Sequence, residues 1–213
     1  AFYHPTRWLA DYNSTWWQYG GAGGGVGWND VNACIRSMVW GGGLLEGTTS
    51  PNYTEAGILY AGGTFTQAGN YAANNVARFQ FSVYGGLDYW HPFGGGIPTT
   101  VADVAWDAAA STLYAVSDDP AATQSFYWWD GTAWASSRER TQPGDVTVLG
   151  SALAVDARGN VYAGMANGNL YVRRAGDSNW AGWSFGVNDG GRRIWDLAMD
   201  GRGQVLTARG AAG

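Results

Sequence analysis

Three stretches of the 213-residue chain repeat one short pattern, and that repetition limits the fold more than any other feature. They read Ile58-Leu-Tyr-Ala-Gly-Gly63, Thr112-Leu-Tyr-Ala-Val-Ser117 and Asn160-Val-Tyr-Ala-Gly-Met165, with a weaker fourth copy in Gln204-Val-Leu-Thr-Ala-Arg209. Their aligned residues, Tyr60, Tyr114, Tyr162 and Leu206, lie 54, 48 and 44 positions apart. Another short apolar strand precedes three of them, at Val101–Trp106, Ser151–Val155 and Ile194–Met199. Asp107, Asp156 and Asp200 follow those strands, and Gly159 and Gly203 complete two of the turns. Asp caps its own backbone and Gly accepts a positive φ, so these residues suit tight hairpins.

Each copy continues with an outer half. A third strand is expected at Val76–Phe79, Ser125–Trp129 and Asn169–Arg173, and a fourth around Trp90, Trp134 and Trp180 to Trp183. Four antiparallel strands every 40 to 50 residues is the period of a β-propeller blade, and no 3.6-residue apolar stripe argues for helix. The last copy has only two strands, while residues 1–27 hold Thr6–Asp11 and Thr15–Tyr19, the elements it lacks. The expected fold is therefore all-β, a single four-bladed propeller over residues 1–213. Its blades would span 28–100, 101–147, 148–192 and a composite of 193–213 with 1–27, whose shared sheet closes the ring. A piece of a larger ring, or two chains forming eight blades, would carry the same pattern.

Composition supports a β protein and excludes several alternatives. Gly 34 and Trp 13 are high, and charged residues are only 14% against about 25% in ordinary soluble domains. The glycines have no three-residue period, which excludes collagen, and aromatics at 15% are too many for a disordered chain. A net charge of −5 argues against a phosphate-binding surface, and no apolar run reaches the ~20 residues of a spanning helix. Cys34 is alone, so neither a disulfide framework nor a thiolate cluster is expected. The chain starts at Ala1 without Met, as it would after removal of a secretory leader or in a partial sequence. Asn13 and Asn52 begin Asn-x-Thr triplets, a pattern that arises often by chance.

The first copy carries the most specific motif. Gly62-Gly-Thr-Phe65, then Asn75-Val-Ala-Arg-Phe79, then Trp90-His-Pro-Phe-Gly-Gly-Gly96 resembles a propeller repeat of bacterial secreted and surface proteins, distantly kelch-like. The likeness covers about 40 residues and fades to pattern level in the later copies, which keep Leu/Val-Tyr-Ala without Gly-Gly-Thr-Phe. It implies a propeller in a secreted, periplasmic or cell-surface setting, and it implies no single activity.

Residues that could carry chemistry are sparse. The histidines, His4 and His91, each precede proline in the outer half of a blade and cannot form a ligand cluster with Cys34. Asp107, Asp156 and Asp200 recur at one position, which their hairpin role explains without catalysis. Asp103 and Asp196, on innermost strands, are better placed for an axial cation, and Asp118-Asp119 reads as a solvated turn. No Gly-x-Ser-x-Gly elbow occurs, and Gly20–Gly27 lacks the Lys-Ser/Thr of a phosphate loop. The arginine pairs are scattered and form no stripe for nucleic acid.

Tryptophan is the remaining resource. One per blade suits packing between blades, but Trp16-Trp17, Trp128-Trp129 and Trp28 exceed that need, and side chains alternate faces along a strand. The long loop-like segment Gly41–Glu55 adds Trp40 and Tyr53 at a candidate contact surface. Trp16, Trp28, Trp40, Tyr53 and Trp128 are accordingly the expected interaction residues. The expectation is a non-catalytic interaction or assembly subunit outside the cytoplasm, with no cofactor, no metal, no nucleic acid and no membrane span. It would bind other protein chains; a glycan-binding propeller stacking sugars on Trp is the alternative, and a polysaccharide-acting enzyme a lesser one.

Overall fold

A computed structural model describes residues 34–41, 55–69, 71–82, 89–137, 149–177, 181–183, 192–200 and 202–209. Regular structure among them is entirely β-strand, arranged in antiparallel sheets. The chain divides into two compact units, Ala1–Pro98 and Thr99–Gly213, close to the expected boundary between the first two repeats.

In the first unit, β1 (Cys34–Gly41), β2 (Glu55–Thr64), β5 (Val76–Ser82) and β6 (Tyr89–Pro92) form one sheet in that order. A small hairpin of β3 (Gln67–Ala68) and β4 (Tyr71–Ala72) separates β2 from β5. The register places Trp40, Leu59, Phe79 and Trp90 in one row across the sheet. The last three are buried, and Phe79 meets Trp90 edge to face at 5.2 Å. Asn75 explains why this repeat spells Gly-Gly-Thr-Phe and Asn-x-Ala-Arg. Its φ of 61° turns the chain into β5. Its Oδ1 accepts from Phe65 N at 3.1 Å, and its Nδ2 donates to Ile97 O at 2.9 Å. One amide thus ties all three motif segments together. Gly63 is required beside it, since a Cβ there would overlap the Cys34 carbonyl.

The second unit holds three further sheets. β7 (Asp103–Asp107), β8 (Thr112–Val116), β9 (Phe126–Trp129) and β10 (Trp134–Ser137) make the second; β11 (Gly150–Val155), β12 (Val161–Met165), β13 (Leu170–Arg173) and β14 (Ala181–Trp183) make the third. The fourth has two described strands, β15 (Ile194–Met199) and β16 (Val205–Arg209). Each four-stranded sheet runs in chain order.

Burial follows a period of two on both faces of the third sheet. Leu153, Ala163 and Tyr171 pack against Ala105, Tyr114 and Phe126 of the second sheet. From the opposite face, Ala152, Ala154 and Leu170 pack against Ile194 and Leu197 of the fourth. A sheet with two apolar faces cannot face water on either, so it must be sandwiched. Two glycines set how closely the sheets approach: a Cβ on Gly150 would lie 2.6 Å from Val116 Cβ, and one on Gly164 would lie 2.5 Å from Ile194 Cγ2. Asp103 adds a polar tie, its Oδ2 accepting from Leu153 N at 2.6 Å across the same interface.

Gly164→Ala should therefore destabilise the protein by about 1–3 kcal/mol through overpacking, measured as a lower denaturant midpoint. Ile194→Ala removes the opposing methyl, so the double variant should cost at least ~0.5 kcal/mol less than the two single effects added. Strict additivity would show that the two residues do not set the sheet spacing.

Candidate functional site

The recurrent aspartates are turn residues by their bonding. Asp107 Oδ1 accepts from the amides of Ala109 and Ala110, at 2.9 and 3.1 Å. Asp156 Oδ1 accepts from Arg158 and Asn160, at 2.9 and 2.8 Å, and Asp200 Oδ1 from Arg202 and Gln204, at 2.9 and 2.7 Å. Asp156 also takes the Tyr162 hydroxyl at 3.2 Å and the Asn160 amide group at 2.8 Å on Oδ2. Burial pushes the Asp156 carboxyl up, but these donated bonds outweigh it and hold the group below its ordinary value. Tyr162 moves the other way, raised by burial and by the Asp156 charge beside it.

A groove of about 380 Å³ opens between the second and third sheets. The end of β7 contributes Asp107, β8 contributes Tyr114, and the end of β9 contributes Trp128 and Trp129. Arg158 from the β11–β12 turn and Arg173 from the end of β13 face them. Arg173 organises this wall. Its Nη1 donates to the Tyr114 hydroxyl at 3.0 Å and its Nε to the Asp177 carbonyl at 2.8 Å. Its guanidinium lies 5.6 Å from the Tyr114 ring centre and 5.2 Å from that of Trp128. Burial raises the Tyr114 hydroxyl above its ordinary value, against the opposing influence of Arg173. Such a surface can stack a flat ring face and donate hydrogen bonds.

The five expected interaction residues fare differently. Trp16, Trp28 and Tyr53 lie outside the described residues. Trp40 stands near the end of β1, beside the expected loop, and is 53% exposed. The register aligns it with Trp106, since Trp40 pairs with Leu59 and Trp106 with Leu113, each just before the repeat tyrosine. Trp128 is half-buried against the core between the second and third sheets, so it forms a groove wall and not a projecting contact. The Arg173 contribution was hidden in the sequence because it occupies a core position. It faces Val161 where Phe79 faces Leu59 in the first sheet, and that aromatic-to-arginine change is the signal a register alignment exposes.

Other candidates resolve into structure. Asp103 spends its carboxylate on backbone amides, and no cluster of three metal-ligating residues occurs among the described residues. Asp196 is exposed on β15. Asp118, expected as a solvated turn, instead pairs with Arg193 at 2.7 Å, whose guanidinium covers the Trp195 ring at 4.6 Å. His91 sits half-buried on β6, stacked with Tyr71 at 6.2 Å; burial, then Arg78, lowers its pKa. His4 lies outside the described residues, and Cys34 is exposed at the start of β1. No helix among the described residues is long and apolar enough to cross a membrane.

Comparison with known proteins yields little beyond this. No family model matches the chain, and no curated protein matches it. Among solved structures, it is similar to the extracellular domain of a protein assigned as a hybrid two-component system in B. thetaiotaomicron. The identity is 14% and the TM-score 0.49; the match covers 82% of this chain but spans only 20% of that one.

Because the folded Asp156 carboxyl is held low, its stabilising contribution is present above the ordinary carboxylate value and is lost as pH falls through the folded value. Asp156→Asn keeps an acceptor for the turn but no titrating charge. The fall in Tm on acidification below about pH 4 should accordingly be shallower in the variant than in the parent. Equal slopes would remove Asp156 from the account.

Proposed function

We propose that the chain is a four-bladed β-propeller acting outside the cytoplasm as a non-catalytic interaction subunit, which holds another protein chain through exposed aromatic side chains. Three meander sheets and a two-stranded fourth support the blade reading, since each falls within an expected repeat. The repeats also share one backbone bond: Gly63 N to Asn75 O, Ser117 N to Ser125 O and Met165 N to Asn169 O, at 3.0, 2.9 and 3.0 Å. On this reading residues 1–27 complete the fourth blade, whose described face bearing Ala198 and Leu206 is exposed.

The observation that carries the interaction role is Trp40. It extends the buried row of Leu59, Phe79 and Trp90 onto the outermost described strand of its sheet, where more than half of it meets solvent. A strand holds such a side chain in a fixed direction, so a partner would gain its apolar area at little entropic cost. Central, partly desolvated tryptophans are the residues that most often dominate protein interfaces.

Native mass spectrometry of protein purified gently from its source should show a stoichiometric complex with another chain. Trp40→Ala should weaken that complex at least tenfold, about 1.4 kcal/mol, with Tm unchanged within a few degrees. A lone 22.7 kDa species would overturn the assignment. The ring is checked separately: deleting residues 1–27 should lower Tm, and supplying them as a peptide should restore it.

A further inference from the structure

We infer that the groove between the second and third sheets binds a saccharide carrying a carboxylate. This site is separate from the Trp40 surface and does not depend on it.

Charge is the first argument. The chain as a whole is acidic, at −5, yet the groove is lined by three arginines, Arg158, Arg173 and Arg174, against two aspartates, Asp107 and Asp130. Each aspartate commits its Oδ1 to its own turn. Asp107 is buried and accepts two backbone amides. Asp130 Oδ1 accepts from Ala133 N at 2.7 Å and from Thr132 N and Oγ1 at 2.8 and 2.9 Å. Those bonds, from Ala133 first, lower its pKa, so it remains an anion already solvated by the protein. Arg158 and Arg173 differ: neither forms an ion pair among the described residues, and Arg173 donates only to a hydroxyl and a carbonyl. Among the described residues, Arg158 and Arg173 therefore present guanidinium charge to the groove without an ion-pairing carboxylate. A guanidinium is built to take a carboxylate through two parallel bonds.

Shape and surface supply the second argument. Trp128 is partly exposed along the groove, beside the Tyr114 ring. Aromatic faces next to hydrogen-bonding groups suit the flat apolar face and hydroxyl rim of a pyranose. A volume near 380 Å³, open on one side, admits one or two sugar rings with the remainder of an oligosaccharide outside. The third argument is that Arg173 is not a demand of the repeat. Phe79 fills the matching position in the first sheet, so the fold accepts an apolar residue there. An arginine placed in that row, with its charge directed into a groove, is a local departure from the packing pattern, and such departures concentrate at functional sites.

The test is calorimetric titration of the full chain with trimers of galacturonate, glucuronate and mannuronate, with their methyl esters, and with acetate. At least one acidic trimer should bind, its methyl ester at least tenfold more weakly, and acetate without saturation. Binding should also weaken as salt rises. Arg158→Gln, at an exposed position away from the core, should weaken the acidic trimer about tenfold without lowering Tm. Arg173→Gln should weaken it further; if that variant is unstable, Arg158→Gln still decides. Equal affinity for acid and ester would overturn the carboxylate assignment. No binding by any trimer, or binding unaffected by Arg158→Gln, would overturn the site. Neither result would touch the Trp40 interface, which is read out by complex formation.

Discussion

The third sheet is buried on both faces, and much of the second unit follows from that constraint. An antiparallel meander with polar residues on one side could stand at a surface. Leu153, Ala163 and Tyr171 on one face, with Ala152, Ala154 and Leu170 on the other, leave no such side. The neighbouring sheets must then approach closely, which is why Gly150 and Gly164 stand opposite Val116 and Ile194. The groove is lined where β9 and β13 end.

Arg173 sits where this packing gives way to solvent. Its charge is tolerated because two ring faces and two hydrogen bonds surround it, so the residue joins core to groove. Substituting a shorter cation would keep the charge but lose the planar stack. The same position therefore contributes to the cohesion of the two sheets and to what the groove can recognise.

The strand order, the hairpin aspartates and the repeat spacing could be read from residue types, because period-two burial and turn chemistry act locally. Asp156 and Asp200 do in the structure what Asp-x-x-Gly implies. The groove was not legible in the same way. It is made by residues 59 positions apart, Tyr114 and Arg173, which meet only through sheet-to-sheet packing. Asp118 was misread because its partner, Arg193, lies 75 residues away.

Asn75 has a consequence for how such repeats diverge. Its amide satisfies Phe65 and Ile97 at once, so the three motif segments it joins form one unit of inheritance. Loss of the amide would orphan both partners, and a drift in either partner would leave the amide idle. The second repeat keeps the shared backbone bond with Ser125 in the matching place, yet the serine hydroxyl is buried without a hydrogen-bond partner. Its loop has correspondingly abandoned Gly-Gly-Thr-Phe altogether. The second repeat has lost the amide and Gly-Gly-Thr-Phe together, whereas the third keeps Asn169 in the matching place although Gly-Gly-Thr-Phe is gone.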